Sequence, residues 1–365
     1  MSDRSSSPSE LSRRALLGSA AVAGAAATLG RALPAFAEGL PKAEDLTAKR
    51  PKGFVPMAAP GKVVKVAAKG DFKSIMQPNL LWPKADVAKR LVEKALMEFT
   101  GAPNIVEALG KFIHKDDIVA VKPNGIAGQK GYTQATNYET VLPVVEGLIK
   151  LGVKPENIMV YEQYPTYLMG CRINVRQWKL PDGVQTATHN NKNHPMQDVR
   201  IYQGIPTRYS KMLLDATAVI DMSMMKDHSI CGYTGCLKNI THGNVNNPHD
   251  HHAHQASPQI AMLYNHPIVT SRVRLHITDA FKITYDRGPL DKDPNTRIPH
   301  GAVYVSTDPV AHDVVGWQVI DAERKKRNIK SLKESKREPR YIQTAGELGL
   351  GVADLNQIRL KTYEI

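Results

Sequence analysis

Cysteine is scarce. Cys171, Cys231 and Cys236 are the only three in 365 residues, which excludes a small disulfide scaffold. Aromatic residues are also few, at 6%, and the excess of Lys plus Arg over Asp plus Glu, 48 against 35, is spread along the chain. A nucleic-acid binder, which needs clustered basic residues interleaved with aromatics, is therefore disfavoured. After residue 40 no uncharged stretch approaches the length of a membrane span. No H-E-x-x-H, paired C-x-x-C, G-x-x-x-x-G-K-[ST] or G-x-S-x-G occurs, and no clear G-x-G-x-x-G. Those absences remove the usual zinc-protease, zinc-ribbon, P-loop, hydrolase-elbow and dinucleotide-binding mechanisms.

Residues 1–37 read instead as a twin-arginine export signal. Arg13 and Arg14 precede a 16-residue uncharged run from Ala15 to Gly30, and Ala35-Phe36-Ala37 supplies a small-x-small cleavage site. The expectation is a periplasmic or otherwise extracytoplasmic protein, cut after Ala37 and carried by the twin-arginine export machinery. That machinery transports folded proteins, so a metal or cofactor inserted before export is expected too. Without the leader, 44 basic side chains face 33 acidic ones. The balance suits a small anionic ligand, or simply a solvated basic exterior. In an oxidising compartment an odd cysteine count leaves at least one thiol unpaired. Cys231 and Cys236 are open to pairing, to soft metal ligation or to inert burial, since C-x4-C is no standard zinc spacing.

Residues 38–60, rich in Pro, Lys and Ala without periodicity, read as an extended arm. Apolar content of 42% supports a sizeable core beyond it. Residues 61–365 read as an α/β domain with room for two lobes dividing near 170–215. Alternating or continuous apolar runs predict strands over 62–69, 118–121, 157–161, 217–222, 273–280, 302–306 and 357–363. Helical spacing predicts helices over 85–99, 137–151 and 342–348, and another near Val310, behind an Asp308 N-cap and Pro309. The charge-dense segment 323–340 is expected to be exposed. Such alternation predicts a mostly parallel sheet covered by helices, with an irregular His-rich insertion after a central strand.

That insertion concentrates the chemistry. Lys226, His228, Gly232, Tyr233, Thr234, Gly235, Lys238 and Asn239 follow a predicted strand end, where open α/β sheets bind ligands. There His228 supplies a proton-transfer group and Lys238 a cation or nucleophile, while the glycines allow close backbone approach. Lys122 and Asn124, in the Lys122-Pro123-Asn124-Gly125 turn at another strand end, suit an anionic or carbonyl group, or a simple turn. Next come His242, His249, Asp250, His251, His252 and His254, which put five of the thirteen histidines within thirteen residues. Imidazoles at this density, with Asp250 as a hard partner, suggest a metal ion of unknown identity; the other reading is a solvated loop.

The Lys122-Pro123-Asn124 turn, the Lys226-Asp227-His228 and Gly232 to Ile240 block, and Thr307 to Gly316 together resemble the domain of unknown function 362 family from about Lys62 to Gln318. Many relatives are associated with iron–sulfur or other redox proteins, which implies an exported redox enzyme as a partner. This chain has no ferredoxin-like cysteine runs of its own. More remotely, His228-x3-Gly232-Tyr233-Thr234-Gly235 and Lys238 are similar to a block of nickel-pincer lactate racemase, with Cys236 and Leu237 where that family has Gly and Arg. The resemblance implies a nickel-pincer-type cofactor carried on Lys238, acid/base chemistry at His228 and a nickel ligand at His254.

The expectation is an exported metal- or cofactor-dependent enzyme, acting on a small hydroxy or carboxylate compound by redox or isomerase-type chemistry. Its alternative is a noncatalytic metal-binding accessory protein for an exported redox enzyme.

Overall fold

A computed structural model describes residues 44–126, 134–189, 196–200 and 205–365, all within the unit Pro41–Ile365. The export signal expected at 1–37 and the start of the arm expected at 38–60 lie outside these residues.

Valine-rich segments form the strands and period-2 alternation sends their side chains to two faces. In β1 (Lys62–Ala67), Val63 enters one apolar layer while Val64 and Val66 enter the other. The main sheet also holds β2 (Val119–Lys122), β3 (Ile158–Glu162), β4 (Gln185–Thr188), β7 (Ala218–His228), β9 (Val273–Thr284), β10 (Arg297–Ser306) and β11 (Arg359–Glu364). Its order is β11-β1-β10-β9-β7-β2-β3-β4, and β8 (Gly232–Thr234) pairs with β7. Most pairings are parallel, as the sequence pattern implied. However, β10 runs antiparallel to β1 and β9, and β8 folds back on β7. A separate antiparallel pair joins β5 (Met196–Arg200) to β6 (Pro206–Ser210).

Helices cover both faces. On one, α1 (Ala85–Thr100) packs Leu91, Ala95 and Phe99 with α2 (Tyr138–Leu151) over Val121 and Ile220. It stops at Gly101, whose left-handed backbone (φ 75°) returns an N–H to the Met97 carbonyl. The other face carries α3 (Cys236–Thr241), α4 (Gln259–Tyr264), α5 (Pro309–Lys326) and α6 (Arg340–Glu347), with Leu237, Ile260, Val314 and Ile342 in its core. At the start of α5 the Asp308 side chain accepts N–H bonds from Val310 and Ala311, the N-cap that Asp-Pro predicts.

Two expectations change. β7 runs six residues beyond Met222 and is buried throughout, because β8 and β9 flank its polar end. The charged segment is not uniformly exposed either: Arg324 is buried, reaching the Tyr285 carbonyl and the Asp286 carboxylate.

Strand order locates the site. From β2 the sheet grows through β3 and β4 on one side and through β7 and β9 on the other. The carboxyl ends of β2 and β7 therefore flank a crevice at a reversal of strand order.

Candidate active site

Into this crevice opens a cavity of about 390 Å³. Lys122 reaches it from the end of β2 and Asn124 from just beyond, Glu162 from the end of β3 and Gln163 from just beyond, and His228 from the tip of β7. Thr234 of β8, Lys238 and Asn239 of α3, and His242, His249 and His252 complete the polar wall, while Tyr164, Tyr167, Ile230 and Leu290 supply apolar surface.

The two lysines differ in their compensation. Lys122, almost wholly buried, pairs with Glu162 at 3.0 Å and donates to the Pro123 carbonyl at 2.9 Å. Its charge is used internally. Lys238 has no carboxylate within 4.0 Å among the described residues; its Nζ lies 3.2 Å from His252 Nε2. Burial lowers its pKa, since removing an ammonium from water disfavours the charged form.

Hydrogen bonds set the histidine tautomers. The backbone N–H groups of Ile230 and Cys231 both donate to His228 Nδ1, at 3.1 and 3.3 Å. That nitrogen keeps its lone pair, so the neutral ring carries hydrogen on Nε2. His252 is reversed: Nδ1 faces the Pro248 carbonyl at 2.7 Å and must donate, which leaves the Nε2 lone pair toward Lys238. The two rings are nearly parallel, 20° apart in plane and 5.5 Å between centroids. Desolvation, then Lys238 and neighbouring charges, hold His228 far below its ordinary pKa. The same causes lower His252 to about 4. The cavity thus offers a neutral donor imidazole, a neutral acceptor imidazole and a lysine amine without a carboxylate partner among the described residues. Thr234 Oγ1, buried in the wall, has no hydrogen-bond partner among the described residues.

Below the floor, Asn239 accepts from Asn124 Nδ2 at 3.0 Å and donates to Asp221 at 2.6 Å. Asn124 also accepts from Lys226 Nζ at 2.7 Å.

A model of the family described as "Domain of unknown function (DUF362)" matches residues 119–318, more than half the chain and a span that contains every cavity residue named above. The chain belongs to the DUF362 family. This DUF362 protein is also similar to two solved structures. One is the lactate racemase apoprotein from Thermoanaerobacterium thermosaccharolyticum, at 12% identity and a TM-score of 0.38, covering 64% of this chain and 55% of that one. The other is a protein from Thermotoga maritima, at 12% identity and a TM-score of 0.32, covering 57% and 53%. The chain spans about half the length of each solved structure. No curated protein matches it.

Of the residues singled out from the DUF362 sequence, the cavity gathers Lys122, Asn124, His228, Thr234, Lys238, Asn239, His242, His249 and His252. Lys226 lies beneath the wall. Tyr233 turns into the core against Gly316, and Gly232 and Gly235 are pressed against Arg337 and Asp313. His251 is buried away from the cavity, on Thr207 at 2.8 Å. Asp250 is exposed and bonds Asn247. His254 is exposed too, turned outward by a left-handed backbone at residues 254–256.

The metal expectation therefore shifts. His242, His249, Asp250, His251, His252 and His254 do not converge on one point. Among the described residues, the donors that do are Asp221, Cys236 and His276, all buried and within 4.8 Å of one another. All three cysteines are free and buried, so Cys231 and Cys236 form no disulfide. A nickel-pincer-type cofactor fits only in part: Lys238 Nζ is at the cavity, but His254 does not reach it. Glu162 was missed by sequence reasoning; its position at the carboxyl end of β3 was the available signal.

Proposed function

We propose that the cavity is the active site of an exported enzyme acting on a small hydroxy or carboxylate anion by proton transfer, with isomerisation as the reaction class its groups suit best. The observation that carries this reading is Lys238, a buried cation lacking a carboxylate partner among the described residues and set beside two imidazoles of opposite tautomer.

Lys238 anchors the anionic group. As Lys238 turns from His252 to the anion, the freed His252 Nε2 accepts the proton that leaves the substrate, and the same atom returns it. His228 Nε2–H donates to the oxygen on which negative charge develops, as a neutral imidazole can in a site that keeps it uncharged.

Lys238→Ala removes a charge-assisted contact of about 1.5–3 kcal/mol, or roughly 10- to 150-fold in affinity. Isothermal titration with small 2-hydroxy and 2-oxo carboxylates, beside circular dichroism of wild type and variant, checks this. Saturable binding by wild type and its loss in a folded variant is the expected result. Equal binding by both sinks the reading.

The Arg13-Arg14 leader supports a location outside the cytoplasm. N-terminal sequencing of the exported protein should begin at Glu38; a chain retained inside with residues 1–37 intact contradicts it.

A further inference from the structure

The geometry points to a second site, separate from the cavity, in which Asp221, Cys236 and His276 hold a divalent d-block cation such as zinc. The donors come from three elements: Asp221 from β7, Cys236 from the first turn of α3 and His276 from β9. A carboxylate oxygen, a thiolate sulfur and an imidazole nitrogen form a common donor set for such ions.

Two independent features support an ion here. Asp221 and Asp313 are both fully buried, and neither has a Lys or Arg within 4.0 Å among the described residues. Asp313 accepts the backbone N–H groups of Cys236 and Leu237 at 2.6 and 3.1 Å, which ties the first turn of α3 to α5. A buried Asp221 carboxylate without a Lys or Arg beside it is costly, and a divalent ion would offset that cost. The second feature is His312. It is 1% exposed, both ring nitrogens lack partners among the described residues, and its ring meets His276 edge-on at 6.5 Å between centroids. A histidine buried with no hydrogen bond is rare, and His312 offers ring nitrogens without a partner beside the three donors.

Binding balances with the loss of one proton. Without metal, His276 Nδ1–H donates to Asp221 at 2.8 Å, and Nε2 meets the Tyr264 hydroxyl at 3.2 Å. On loading, the Cys236 thiol gives up its proton. The His276 hydrogen moves from Nδ1 to Nε2, frees Nδ1 for the ion, and leaves Nε2–H donating to Tyr264 Oη, which holds the ligand in place.

The ion would pin the start of α3, and with it Lys238 and Asn239, onto the sheet. Because the donors are sealed from solvent, loading belongs to folding rather than to the finished protein. That order fits a protein exported already folded.

The test is expression of the full chain with cobalt(II), followed by dialysis against a chelator. About one equivalent of cobalt should remain, with thiolate-to-cobalt charge-transfer absorption. Cys236→Ser should abolish that absorption, and His276→Gln should lower retained cobalt by about tenfold or more. His252→Ala, in the cavity, should retain both. Absence of cobalt, cobalt without charge transfer, or loss in His252→Ala with retention in His276→Gln each overturns the proposal. If Cys236→Ser fails to fold, the wild-type absorption decides. Anion binding at Lys238 is measured separately, so either proposal can fail alone.

Discussion

At the residue scale, the site's chemistry depends on which ring nitrogen carries hydrogen. Two backbone donors aimed at His228 Nδ1 and one carbonyl facing His252 Nδ1 give these residues opposite roles. Nitrogen-15 NMR should therefore show His228 as the Nε2–H tautomer and His252 as the Nδ1–H tautomer. His252 should remain neutral until the pH falls to about 4, well below the ordinary value near 6.5. Because the folded state binds fewer protons than the unfolded state between these values, this histidine makes stability rise with pH across that window. Matching tautomers, or titration near 6.5, would remove the acid/base division. Sequence showed that histidines and lysines gather here, but it could not sort them. His254 and His252 are equivalent by spacing until backbone dihedrals turn one out and the other in. Glu162 was hidden for a related reason: its partner Lys122 is on another strand, and register alone brings them together.

At the element scale, most helices and strands were legible because their apolar periodicity is strong. The end of β7 was not, since Lys226-Asp227-His228 reads as polar loop. Those side chains are satisfied inside the protein, Lys226 by Asn124 and Asp227 by Arg337 at 2.7 Å, and local pattern carries no trace of such pairings. The turn after β7 depends on Gly232, at φ 80°, where an added Cβ would lie 1.8 Å from the Arg337 carbonyl oxygen. Gly232→Ala combines backbone strain with a clash that only main-chain movement relieves. It should cost about 2–4 kcal/mol by urea denaturation. A cost below the scatter of surface substitutions would show that the hairpin yields freely.

On the scale of the whole molecule, the sheet places its polar machinery where strand order reverses, and the α/β pattern made that location readable. The antiparallel β10 was not readable, because strand direction is set by long-range pairing. Burial also leaves a global signature in pH dependence. Desolvation brings Lys226 down to about 8, opposed by the nearby Cys171, Asp291, Glu162 and Asp279. Between about 8 and 10.5 the folded state binds fewer protons than the unfolded one, so stability rises with pH, by up to roughly 3 kcal/mol for this group. Urea midpoints measured from pH 7.5 to 9.5 should climb in wild type and climb less in Lys226→Met. Lys282, lowered to about 8 by burial, contributes in the same direction. An unchanged slope in the variant would place the proton elsewhere.

The hairpin that carries His228 leans on chain more than a hundred residues downstream. Arg337 donates to the His228 carbonyl at 2.9 Å, and the Tyr341 hydroxyl donates to the Tyr233 carbonyl at 3.0 Å. During synthesis, the ribosome must release this late segment before the earlier one can take its working shape. A nascent polypeptide stalled before residue 337 would therefore expose an unbraced hairpin to proteases.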